Sequence, residues 1–272
     1  MQKIKNYLKR LYEMIVTPSM SYLPGNLAFF IVLSIFPILT LIGFISFKFG
    51  LSLGAVENAI NNALPQNIAN VLDPFIQGKG LDSNLLIFMI IGFFLASNGS
   101  DAIILTSNNL YGFPNSTYLK RRIKAIFMTI LLILLFIFLL VFIGFGNTII
   151  NFILSFLKDQ KLVDLIYSIF IILKWPFAIL IIFFNVKLIY TIAPDWKIMS
   201  KHTTKGAIFT TVSWIVVVEI YSFWITHFSR YDLFYGSLSN IAIFMLLIYI
   251  ISYILALGIA INVKSYEYKI ED

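Results

Sequence analysis

Between Gly206 and Phe228 the chain is almost wholly apolar, yet it carries one carboxylate, Glu219. An unpaired ionised group is costly in hydrocarbon, so such a residue marks an ion, proton or headgroup site unless the fold neutralises it. Lys174, in the preceding apolar stretch, is the natural counter-charge. Lys174 lies about ten residues below one end of its run and Glu219 about nine below the same end of the next, so at ~1.5 Å per residue both are roughly 15 Å deep. Equal depth permits a salt bridge, and pairing lowers the cost of each charge. Three readings follow. In one, a polar cavity uses Glu219 for a cation or proton and Lys174 for an anionic headgroup. In the second, a static pair fixes helix register. In the third, the two make no contact at all.

A second group lies earlier. At about 100° per residue, Ser97, Asp101 and Asn108 point the same way, with Ser100 and Ser107 beside them. Ile104 interrupts the stripe. Such a stripe lines a substrate path or supplies hydrogen bonds between helices. Gly99 permits close helix approach, and Pro37 and Pro176 are hinge candidates, although most proline kinks are static. Catalysis finds no foothold. The two histidines, His202 and His227, fall at opposite ends of one apolar run, there is no cysteine, and no GxxxxGK[ST] loop occurs. Ribonuclease or hydrolase chemistry needs clustered acid–base groups or metal carboxylates. No enzyme, cofactor or metal site is expected.

These residues need elements to position them. The chain is 60% hydrophobic and 12% charged, against about 25% charged in soluble domains. The apolar residues fall in long runs, which predicts an all-α integral membrane protein with six transmembrane helices. The spans are expected at about 27–47, 85–108, 126–145, 165–192, 206–228 and 238–263, in a single domain over 1–272. Residues 1–16 read as a basic amphipathic helix on the membrane surface, and 50–83 as short amphipathic helices between spans one and two.

Charge sets the orientation. With both termini cytoplasmic, the inner segments hold fourteen lysines and arginines and the outer segments five, with Lys174 inside a span. This bias accounts for the net charge of +7 without nucleic acid. The basic loop from Lys120 to Lys124 and the N-terminal helix suit anionic lipid heads, although orientation alone explains both. Trp196, Trp224, Tyr231 and Tyr235 near span ends fit interfacial anchors.

The order of short motifs resembles the YihY/BrkB family of bacterial inner-membrane proteins, formerly called ribonuclease BN. Leu27-Ala28-Phe29-Phe30 followed by Leu33-Ser34-Ile35-Phe36-Pro37 looks like its opening motif. Asn109 with Tyr111-Gly112 looks like the end of its second span, and Tyr190, Pro194 and Lys205-Gly206-Ala207 like its fourth-to-fifth junction. Trp214, Glu219, Tyr221, Tyr231 and Tyr235-Gly236-Ser237-Leu238 are similar to its most distinctive part, continued by Tyr249, Gly258 and Asn262. Ile248 and Ala260 stand where the family often has Trp and an acidic residue, and Lys174 where it often has Arg nearby. The resemblance implies six helices in the bacterial cytoplasmic membrane and a part in envelope integrity or export of small molecules. The expected function is a transporter or flippase of a lipid or amphipathic solute, with membrane lipids as partners and no nucleic acid. The alternative is a non-transporting scaffold that binds envelope proteins.

Overall fold

The computed structural model describes residues 9, 12, 16, 20–33, 83–140, 146–156, 159–228 and 238–270. Its elements are α1 (Met20–Leu33), α2 (Ser83–Tyr111), α3 (Tyr118–Leu140), α4 (Gly146–Leu154), α5 (Gln160–Ile192), α6 (Thr204–Phe228) and α7 (Leu238–Ile270). One 3-10 turn, Ser200–His202, joins α5 to α6. Among the described residues there is no strand. Four helices, α2, α5, α6 and α7, are long and apolar enough to cross a membrane. In hydrocarbon every backbone N–H and C=O must be satisfied within the segment, and a helix does this.

Local chemistry ends the helices. α2 stops at Gly112, whose φ of 69° suits a residue without a Cβ. The Gly112 N–H donates to the Asn109 carbonyl and the Phe113 N–H to the Asn108 carbonyl, the paired bonds of a Schellman cap. α5 opens on Asp159, whose carboxylate accepts from the Lys161 N–H. Pro194 follows its C-cap, Ala193.

The helices pack by a division of labour. In α2 and α7, 56% and 50% of the most apolar window lies inside the bundle, against 17% in α5 and α6. So α2 and α7 are central, and α5 and α6 turn most of their surface outward. α7 packs chiefly on α6 and also on α2, α3 lies along α2, and α5 bridges α6 and α3. The core includes Leu27, Ile104, Met128, Val186 and Ile259. The tightest approach joins α6 and α7. A Cβ on Gly206 would overlap the Gly258 carbonyl oxygen and the Asn262 side chain.

Several expected boundaries move. The basic residues 120–124 lie in the opening turns of α3, which starts eight residues before the expected 126, where Arg121 pairs with Asp101 of α2 and Lys124 with Asp195 past α5. α5 begins at Gln160, where Asp159 caps it, rather than at 165. The helix runs through Pro176 as one element. Residues 146–154, expected as part of a mixed connection, form α4 against α5. Pro37, the interfacial helices before Ser83, most of residues 1–16 and the turn at 229–237 lie outside the described residues.

Candidate functional site

At one end of the bundle α2 finishes, α3 starts, α5 finishes and α6 starts. Asp195, just past α5, is the hub. Its carboxylate accepts from the Ser116 N–H at 3.0 Å, from Asn108 Nδ2 at 2.7 Å and from Lys124 Nζ at 2.9 Å. Asn108 closes the ring, since its Oδ1 accepts from the Asp195 N–H at 2.9 Å while Nδ2 also donates to Asn115. Lys124 places its other two protons on the carbonyls of Ala193 and Pro194. All three ammonium donors are used, and the cation sits at the carbonyl end of α5, where the helix dipole favours it. Burial pushes the Asp195 carboxyl up, but the Ser116, Lys124 and Asn108 donors outweigh it and hold the group at about 2.

Most of the rest of the α2 stripe is likewise engaged, although the Ser107 hydroxyl is buried without a hydrogen-bond partner among the described residues. Asp101 pairs with Arg121 at 2.6 Å. Ser97 is fully buried and bonds back to the Phe94 carbonyl of its own helix. Ser100 shares a hydrogen bond with Thr129 of α3. Arg122 is buried, bonds Asn98 Oδ1 and the Phe94 carbonyl, and lays its guanidinium 3.8 Å from the Phe94 ring centre. Gly99 does bring α1 close, but an added Cβ would sit 3.6 Å from the Phe30 carbonyl oxygen, ordinary contact. Ile104, which interrupted the stripe, is fully buried in the apolar core.

A third group ties α5, α6 and α7. The Tyr190 hydroxyl meets Thr210 at 2.6 Å and donates to the Leu255 carbonyl at 2.9 Å. Gly258 leaves room for both, since a Cβ there would overlap the Tyr190 and Thr210 oxygens. Asn262 accepts from the Gly206 N–H at 2.8 Å, and Trp214 donates to the Ile251 carbonyl.

Glu219 and Lys174 are placed differently. Lys174 is half-buried and donates to Asn147 of α4 at 3.2 Å, with its Cε against Gly146. Glu219 is exposed on α6 and takes part in no hydrogen bond or ion pair among the described residues. Its neighbours on that flank, Val212, Val216, Ile220 and Phe223, are exposed too. The structure therefore brings Asp101 and Asn108 into hydrogen-bonded clusters but does not join Glu219 to Lys174. Among the described residues, no three histidines or carboxylates form a group able to hold a metal.

The residues that build these clusters were partly hidden. Lys124 and Arg122 read as loop charges, and Asp195 as a span end. The one signal was a lone acid beside Pro194 at the end that carries the basic residues.

Long apolar helices tied together at one end by ion pairs and hydrogen bonds define a multi-pass membrane protein. The family model for virulence factor BrkB matches residues 12–271, and the chain belongs to that family. Among relatives, a Bacillus subtilis (strain 168) protein named ribonuclease-like YfkH is 27% identical over 268 residues, covering 97% of this chain and 96% of its own. The UPF0761 membrane protein PSHAa0171 of Pseudoalteromonas translucida (strain TAC 125) is 25% identical over 134 residues, covering 48% of this chain and 43% of its own. No solved structure matches the chain.

Proposed function

We propose that this protein moves a lipid or amphipathic solute across the cytoplasmic membrane along the outward flank of α6 and α5. The carrying observation is Glu219, exposed on a spanning helix and without a polar partner among the described residues. A carboxylate near the middle of a span costs on the order of 2.5–3.5 kcal/mol. The headgroup of a passing solute, or water drawn in with it, offsets that cost while acyl chains stay in the bilayer. The α2 stripe does not serve as this path, because Ser97, Asp101 and Asn108 are engaged within the bundle. Lys174, tethered by Asn147 on the neighbouring helix, supplies the second polar step. The reading includes six spans with both termini cytoplasmic, supported by the distribution of lysine and arginine. Catalysis is no part of it.

The chain has no cysteine, so single cysteines can be introduced without further engineering. On the proposed path, Val216→Cys and Phe223→Cys react with a membrane-impermeant thiol reagent in vesicles. Leu134→Cys, exposed on α3, remains inert as a lipid-facing reference. Equal inertness at all three sites overturns the path. A scaffold reading also has support, since the interior clusters are those of a packed core. It predicts that inert result, with a partner helix covering Glu219.

A further inference from the structure

The link between α5 and α6 has a surface that the bundle does not use. Ile198 and His202 are buried and pin the segment to the core. Between and beyond these pins the residues face outward: Trp196 is 60% exposed and Met199 56%, and Lys197, Lys201 and Lys205 are exposed. None of the three lysines makes a hydrogen bond or ion pair among the described residues. They contrast with Arg121, Arg122 and Lys124 at the same end, whose charges are spent on Asp101, Asn98 and Asp195. The nearest carboxylate in sequence, Asp195, is already saturated by Ser116, Asn108 and Lys124. Trp196 is held upright, its ring stacked on Phe113 at 5.8 Å.

Three exposed lysines around an exposed Trp and Met, at the end of membrane-spanning helices, match a bilayer surface. Trp settles at the headgroup level, and lysines reach the phosphates. We infer that the segment from Trp196 to Lys205 is a docking surface for anionic phospholipid headgroups of the bilayer, with Lys197, Lys201 and Lys205 as the phosphate contacts and Trp196 and Met199 as the apolar wedge. The inference is independent of whether the protein transports anything, and it shifts lipid binding from the 120–124 cluster to this link.

The test uses full-length protein in nanodiscs of phosphatidylcholine and phosphatidylglycerol at about three to one, then mass spectrometry of the lipids retained after detergent extraction. Each lysine at such a surface is worth about fivefold in association. The triple variant Lys197→Gln, Lys201→Gln, Lys205→Gln is expected to lose at least fivefold of the wild-type preference for phosphatidylglycerol. The corresponding triple Arg variant keeps the preference, and Lys161→Gln, at the start of α5, leaves it unchanged. Both leaflets of a nanodisc carry both lipids, so inverted insertion does not affect the readout, and a melting curve checks folding. An unaltered preference in the triple Gln variant, an equal loss in Lys161→Gln, or no preference in the wild type each overturns the inference. The last outcome would leave an acidic protein segment as the occupant.

Discussion

Replacing Lys124 with Met removes three hydrogen bonds at once. The ammonium holds the Ala193 carbonyl at 2.8 Å, the Pro194 carbonyl at 2.7 Å and Asp195 Oδ1 at 2.9 Å. Breaking a fully buried pair costs about 3–5 kcal/mol. The Lys124 and Asp195 side chains are 22% and 10% exposed, so water replaces part of the loss and about 2–3 kcal/mol is expected. Asp195→Asn keeps two of the acceptor contacts and should cost about 1–2 kcal/mol. The double variant should then show a coupling energy of about 1–2 kcal/mol. Steric-trapping or denaturant titration in bicelles measures all four corners of the cycle. A coupling below about 0.5 kcal/mol, within ordinary additivity error, would refute the hub. Asp195 also gives a pH signature. Its folded value, about 2, lies below the ordinary 3.8, so the stabilisation is complete above about pH 4 and is lost as pH falls toward 2. The amount is on the order of 2 kcal/mol, and Asp195→Asn should flatten that part of the profile.

Three further outcomes are expected from packing. Gly206→Ala should cost about 1–3 kcal/mol through overlap with Gly258 and Asn262, whereas Gly99→Ala should stay within about 1 kcal/mol of wild type; thermal melts in detergent separate them. Tyr190→Phe deprives Thr210 and the Leu255 carbonyl of a buried partner and should cost about 1–2 kcal/mol, with a cycle against Thr210→Val showing that the two effects are not additive. Arg122→Lys should cost about 1–2 kcal/mol, because lysine cannot both stack on Phe94 and reach Asn98. Arg121→Lys, which only has to keep a charge near Asp101, should cost less than about 1 kcal/mol; the same titration orders the two.

Much of the helical frame was legible because hydropathy acts along one dimension. The apolar runs located α2, α5 and α6 to within five residues at each end, missed the last seven residues of α7, and a polar stripe on α2 was visible from 100° periodicity. Partners on other helices were not legible. Asn108 and Asp195 are separated by 87 residues and Lys124 and Asp195 by 71, and nothing in either stretch specifies the other. Depth along a helix can be counted, but rotation about its axis depends on packing. Glu219 and Lys174 share a depth by that count and still make different contacts. The 120–124 cluster failed for a related reason: four basic residues in five look like a loop until Arg121 and Lys124 find partners on α2 and past α5. Gly206 and Gly258 were visible as family positions, but their role in bringing α6 onto α7 belongs to the packed structure.

Transbilayer movement of a headgroup-labelled phospholipid in proteoliposomes tests the central claim most directly. Wild-type protein should accelerate exposure of the labelled inner-leaflet pool to a membrane-impermeant quencher beyond protein-free vesicles. Glu219→Gln should lower that acceleration about tenfold or more while retaining the wild-type melting temperature and incorporation. Equal rates in wild type and Glu219→Gln, or no acceleration by wild type, would contradict a transport path on the α6 flank and leave the scaffold reading in its place.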